Sequence, residues 1–474
     1  MMKRFSYIFF IILLFASYLA AQNQDNRFRV VGDSLVGKNI NGESVHEVYG
    51  HVIITQGGVK ITCNKAVQFI ARNEAELIGN VVATQDSVII KTEHGFYYGD
   101  TKTSFSNYGV FLTDGHFNLT AKNGYYYFDE KRSYFYENVN LKDSVSSMFA
   151  RKLTYFNNEN KAIAVGSVQV NDTSSTIFAD SLIHFRKTKE TYAFNNIRIY
   201  DPANHLAIFG NKLEDTGKNN YSIITGNPFL VRLDTTSTGK LDTLMISSKI
   251  MESYNDSVKK MIVTDSVKIV RGTFASVNGQ TFYYQKGDKI ETYKRESDLV
   301  QPVIWNDETQ MAGDSINIYL KKNSLEWLEV KSNASIITQN KDSLSRFDQM
   351  SGKNIKMFFD KDGLKRSEVT GNVLSIYYMF EDNEPNGLLK SSAERTKIYF
   401  KNSSVNDVHL YGKPVSEYHP ENKVKGKEKD FTIPTFRIYS NKPTKENLLL
   451  KRKDILSYLI KDAQYYAGKL NSKK

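Results

Sequence analysis

The chain has 474 residues, a formal charge of +11, 12% aromatic residues (29 Tyr and 28 Phe), 8 Pro and one cysteine. A single cysteine excludes an intrachain disulfide and a thiolate metal site. The positive balance favours anionic partners such as phosphates, acidic glycans or anionic lipids, and the residue types favoured here suit pleated, half-buried surfaces.

Lys3 and Arg4 open the chain, an apolar run covers Phe5 to Leu14, and small residues cluster from Ala16 to Ala21. This reads as a secretory signal over 1–21, since a membrane span usually needs about 20 apolar residues. An exported chain rarely meets nucleic acid, so none is expected as a partner.

Six segments then line up: His51-Val52-Ile53-Ile54, Asn80-Val81-Val82-Ala83, Gly109-Val110-Phe111-Leu112, Asn138-Val139-Asn140-Leu141, Ser167-Val168-Gln169-Val170 and Asn196-Ile197-Arg198-Ile199. Every interval is 29 residues. A second register takes Cys63, Thr92, Ala121, Ala150 and Ala179 as origin. Two residues earlier stand Ile61, Ile90, Leu119, Met148 and Ile177, and six later stand Phe69, Tyr98, Tyr127, Phe156 and Phe185. Phe96 and Tyr125 lie four after their origins. Even offsets share one face of a strand, so aliphatic and aromatic columns are expected on the same side. The polar residues two after the origin (Lys65, His94, Asn123, Lys152, Ser181) have that parity too, which predicts a bend or bulge there. Cys63, where other repeats carry Thr or Ala, reads as a small core residue.

The period breaks after Tyr200. Looser copies follow at Gly226-Asn227, Asp265-Ser266, Asn333-Ala334 and Gly371-Asn372, with loops expected over 234–240 and 382–389. The expected organisation is a regular β region over 24–210, a degenerate one over 211–420, a charged linker over 421–445 and a helix over 446–468. That helix carries Leu449, Leu456, Leu459, Ile460, Ala463 and Tyr466 as an apolar stripe. The tail from Asn441 holds nine Lys/Arg against three acids.

The eight His are scattered, no HxH, HExxH or CxxC occurs, and no Gly-rich phosphate loop is present. The recurring Asp-Ser pairs, such as 86–87 and 143–144, suit turns. No enzymatic activity, cofactor or metal is expected.

The pattern Gly-Asn-Val, alternating strand, acid or Gln, then Ile-x-Ala and an aromatic, resembles the OstA/LptA family. This family comprises periplasmic lipopolysaccharide-transport bridge proteins and the N-terminal domain of the outer-membrane translocon LptD. The residues that carry the resemblance are Val48-Tyr49-Gly50-His51-Val52, Leu77-Ile78-Gly79-Asn80-Val81 and Val369-Thr370-Gly371-Asn372-Val373. It implies an all-β fold, an elongated repetitive jellyroll of two sheets in a V, whose apolar groove carries lipopolysaccharide acyl chains. It also implies strand-edge docking to other OstA-like or translocon proteins in a Gram-negative periplasm, with an association with the outer membrane. The chain is far longer than a single-domain bridge protein and has no C-terminal region large enough for a barrel.

The groove candidates are Ile61, Phe69, Ile90, Phe96, Tyr98, Leu119, Tyr125, Tyr127, Met148, Phe156, Ile177 and Phe185. Their columns either close as a dry core or line a groove for lipid A or another envelope lipid. The alternatives are a non-catalytic β-scaffold that docks envelope proteins and, third, a β-helix lyase of acidic glycans.

Overall fold

The computed structural model describes residues 27–450, apart from 236–240, 322–323, 341–342, 362, 382–383 and 402–403. The expected signal segment and most of the expected C-terminal helix lie outside the described residues. The fold is all-β. Thirty-two strands occur among the described residues, and α-helix is confined to Glu421–Val424 and Lys445–Leu449. Two compact units are present: Met1–Thr173 with Ser181–Arg186, and Ser174–Asp180 with Lys187–Lys474.

The repeat has a simple physical origin in the first unit. Strands β3 (Glu43–Gln56) and β4 (Val59–Phe69) pair in two stretches, 45–49 with 65–69 and 52–56 with 59–63. Between them, Gly50 and His51 face the single residue Asn64, and both have positive φ (70° and 44°). Two left-handed residues in a row bend the strand sharply and divert it into a second layer. The same pair recurs as Gly79-Asn80, Glu137-Asn138 and Gly166-Ser167. Gly and Asn dominate because they reach this region at least cost. Each 29-residue repeat is thus two long strands, and each strand contributes half its length to each layer.

Layer A of the first unit contains 52–56, 59–63, 81–85 and 88–92. Layer B contains 45–49, 65–69, 74–78 and 94–98. The inward faces pack together. Val52, Ile54, Ile61 and Leu112 come from A, and Val48, Ala66, Leu77 and Leu153 from B, all at most 1% exposed. Burying such a side chain stabilises by roughly 1.5–3 kcal/mol.

The hairpin turns of layer B form a rail. Each has a left-handed residue whose carbonyl accepts from the next turn: Gly99 N–H to Asn73 (2.8 Å), Phe128 to Lys102 (3.0 Å), Asn157 to Lys131 (3.0 Å) and Arg186 to Asn160 (2.9 Å).

The second unit repeats the plan with longer strands. Its bends sit at Asn195-Asn196, Gly226-Asn227, Asp265-Ser266, Ser332-Asn333, Gly371-Asn372 and Gly412-Lys413. Intervals of 31 to 41 residues replace 29 (one stretch, 266 to 333, spans two), so the period lengthens rather than ends. Its rail continues through Gly217 N–H to Lys189, Asn255 to Asn220, Gln285 to Lys259 and Leu320 to Asp288. Glu384–Lys401 is strand, so most of the loop expected over 382–389 is absent.

The stretch read as a charged linker is packed. Val424 and Ile433 are buried with Ile376, Tyr378 and Leu388, and Leu448 joins Phe229, Met245 and Trp305. Gln349 donates to Phe431 O (3.2 Å) and accepts from Ile433 N–H (2.9 Å). Gln310 does the same with Arg437 O (2.8 Å) and Tyr439 N–H (2.9 Å). Arg346, only 3% exposed, holds Glu421 (2.6 Å) and Glu428 (3.4 Å). The alternating lysines and acids suggested a linker, but the segment's spaced apolar residues cover a sheet face of the second unit.

Candidate functional site: the interior between two layers

Cross-strand pairing in the first unit produces an unbroken apolar column. Ile54 lies opposite Ile61, then follow Ala83, Ile90, Leu112, Leu119, Leu141, Met148 and Val170. The expected aliphatic residues Ile61, Ile90, Leu119 and Met148 therefore all face the interior and are buried. Ile177 is half-buried and belongs to the second unit.

The aromatic candidates lie on the other side. Phe69, Phe96, Tyr98, Tyr125, Tyr127, Phe156 and Phe185 are half-buried, while the neighbours Tyr97, Tyr126 and Tyr155 are buried at 0–4% exposure. The bulge consumes one residue of this strand, so inward positions change from even to odd offsets at that point. The polar position after the small residue marked the bulge, and counting through it finds Tyr97, Tyr126 and Tyr155. The outward rings form a cross-strand ladder, with Phe105 against Tyr125 at 4.5 Å and Tyr125 against Tyr134 at 6.5 Å. Arg72 covers Phe69 (4.2 Å) and Arg132 covers Tyr127 (4.0 Å). Their faces are already used by one another and by cations.

The mouth of the first unit, opposite the bends, is clasped. Gln56, at the tip of layer A, donates to Gly99 O (3.0 Å) in a turn of layer B and accepts from Tyr97 OH (2.5 Å). One repeat later Gln85 donates to Phe128 O (3.1 Å) and accepts from Tyr126 OH (3.1 Å). One repeat later again Asp114 meets Arg186 (2.8 Å). Lys131 adds an ion pair to Asp86 (2.6 Å). Burial pushes the Tyr97 and Tyr126 phenols well above the usual range. The recurring acid or Gln after the alternating strand thus has a function at its first three positions. At the fourth, Asp143 caps its own turn through Val145 N–H (2.9 Å) and Ser146 N–H (2.7 Å).

A cavity of about 20 Å³ lies by the bend, lined by Ile61, Leu77, Ala83, Ile90, Val110 and Phe135 among others. That is room for about one water. Cys63, 5% exposed, donates to Lys65 O (3.2 Å), and burial pushes its thiol up to about 11.

The second unit's interior carries a column over as many strands, interrupted by one serine. One column runs Ile208, Leu230, Ile246, Ile269, Ser276, Ile304, Met311, Ile336 and Met350. Val263, Ile316, Val330, Ile355 and Val369 face it from the other layer. At its mouth, half-buried Leu244, Met261, Phe274, Ile290, Leu320 and Leu364 pack on those clusters. Asp348 accepts from Tyr378 N–H (2.9 Å), and burial lifts its carboxyl to about 6.

The family model described as OstA-like protein matches residues 31–118. Residues 31–118 are an OstA-like domain. The match covers less than a fifth of the chain. It contains the bends at Gly50-His51 and Gly79-Asn80 and the whole clasp of Gln56. Outside the OstA-like domain the likeness is structural repetition alone. The crystal structure of LptH from Pseudomonas aeruginosa, the LptA-homologous periplasmic component of a lipopolysaccharide transport device, is 14% identical to this chain. The likeness covers 36% of this chain and 85% of LptH with a TM-score of 0.12, which carries no weight for the fold. No curated protein matches the chain.

Proposed function

We propose that this protein is a periplasmic lipid-handling protein that takes the acyl chains of lipopolysaccharide, or of a related envelope lipid, between its two layers. The observation that carries the reading is the unbroken apolar column along the inward faces, combined with the OstA-like domain at 31–118. Within such a column an acyl chain replaces side-chain contacts with its own, and each methylene removed from water contributes about 0.8 kcal/mol. In the first unit the clasps of Gln56 and Gln85 join the two layers at the mouth, so a chain entering there must part them. The second unit has a column of equal length, with half-buried apolar residues at its mouth. The inward residues Ile61, Ile90, Leu119 and Met148 remain groove candidates, and the outward aromatics form the outer wall behind them.

Native mass spectrometry of the full chain purified from its own envelope tests the reading. A co-purifying lipid of fixed mass, released by organic solvent, is the expected result. Protein free of lipid after gentle extraction refutes it.

A docking role also has support. Every residue of β2 (Ser34–Ile40) is exposed, with Leu35 at 55%. In the second unit Val408, Val415 and Tyr418 are 50–55% exposed. Unpaired edges of this kind accept strands from partner β-proteins. In this reading the partners are OstA-like or outer-membrane translocon proteins.

A further inference from the structure

The lysines along the layer B turns differ between the two units. In the first unit they are neutralised, Lys102 by Asp129 (3.1 Å), Lys131 by Asp86 (2.6 Å) and Lys161 by Glu159 (3.2 Å). In the second unit Lys187, Lys189, Lys218, Lys259, Lys286 and Lys361 are exposed and have no carboxylate partner among the described residues. Nearby acids are largely engaged. Asp256 caps its own turn through Val258 N–H (2.9 Å) and Lys259 N–H (3.0 Å), and Asp360 pairs with Lys365 (2.9 Å). Glu190 and Asp288 are the acids left over, so the row stays positive.

The rail fixes the row's spacing. Backbone bonds tie 189 to 217, 220 to 255 and 259 to 285. Successive turns are two strands apart, or about 9–10 Å. Directly inside these turns lie half-buried Met261, Ile290, Leu320 and Leu364 at the mouth of the second unit. A line of free ammonium groups beside an apolar slot matches an amphiphile with an anionic head and apolar chains.

We propose that this lysine row binds the phosphate headgroups of lipids whose acyl chains enter the mouth of the second unit. The inference rests on the lipid-handling reading above and adds the head-binding site. Each lysine near an anionic headgroup contributes about fivefold in affinity. A head that reaches two adjacent turns therefore gains roughly 25-fold.

The test uses the full chain and three soluble probes: dioctanoyl phosphatidic acid, dioctanoyl phosphatidylcholine and glycerol 3-phosphate. The variant carries K187Q, K189Q, K218Q, K259Q, K286Q and K361Q, all at exposed positions. Wild type is expected to prefer phosphatidic acid over phosphatidylcholine by roughly 10- to 20-fold, with the preference shrinking as salt rises. The variant is expected to lose that preference and keep its phosphatidylcholine affinity. Equal binding of phosphatidic acid by wild type and variant overturns the proposal. So does glycerol 3-phosphate competing as well as phosphatidic acid, which identifies a free-phosphate site. Failure of phosphatidylcholine to bind either protein overturns the lipid-handling reading itself, and the headgroup site with it.

Discussion

Gly79 tests the account of the bend. Its φ of +76° lies in the left-handed region, and a Cβ placed on it comes within 2.7 Å of Asn64 Nδ2 and 3.2 Å of Asn64 Cβ. In Gly79→Ala the backbone conformation costs roughly 1–2 kcal/mol. Displacing Asn64 from its rotamer adds about 1 kcal/mol, so the loss is about 2–3 kcal/mol. Native-state hydrogen exchange on the full chain reads this locally. Amides of β4 and of β5 (Glu74–Gln85) are expected to exchange about 30- to 150-fold faster. Asn64→Ala in the same background is expected to restore up to about 1 kcal/mol, because it removes the contacts with Nδ2 and Cγ and leaves the backbone cost. Gly58→Ala is the control, with nothing within 4 Å of its Cβ and no positive φ. If Gly79→Ala is as mild as Gly58→Ala, or if Asn64→Ala restores nothing, the bend does not depend on this glycine.

Three further outcomes are expected. Asp348 has its folded carboxyl raised to about 6, so the protonated form is the one the fold prefers. Its stabilising share is complete below about pH 4 and is lost as pH rises through 6, at most about 3 kcal/mol. Asp348→Asn should abolish that pH dependence in the exchange of neighbouring amides. Arg346→Ala leaves Glu421 and Glu428 without their cation, at a cost of roughly 3–5 kcal/mol. Limited trypsin digestion should then cut first at Lys423, Lys425 or Lys427, and wild-type resistance there would contradict the packing described. The Cys63 thiol, raised to about 11, should ignore a thiol reagent at pH 8 in the native protein and react on unfolding.

The 29-residue period and the all-β fold were legible in the sequence because one bulge recurs with one pair of residue types. Gly-Asn at the bend is dictated by local backbone chemistry. The side on which the aromatics lie was not legible from even spacing, since a single extra residue reverses parity for the rest of the strand. The clasps of Gln56 and Gln85 reach 43 residues along the chain, beyond any local pattern. The packing of 421–449 was hidden for a different reason. Its lysines and acids dominate the composition, while Val424, Ile433 and Leu448 make the contacts.

The central claim is that lipid occupies the interior rather than the outer face. Site-specific photo-crosslinking in cells addresses it directly, with a photoreactive residue at Phe274 or Ile290 inside the second unit and at Tyr134 on the outer wall of the first. The account predicts lipid adducts from Phe274 and Ile290 and none from Tyr134. Adducts from Tyr134 alone, or only protein adducts from the two inner positions, would contradict it.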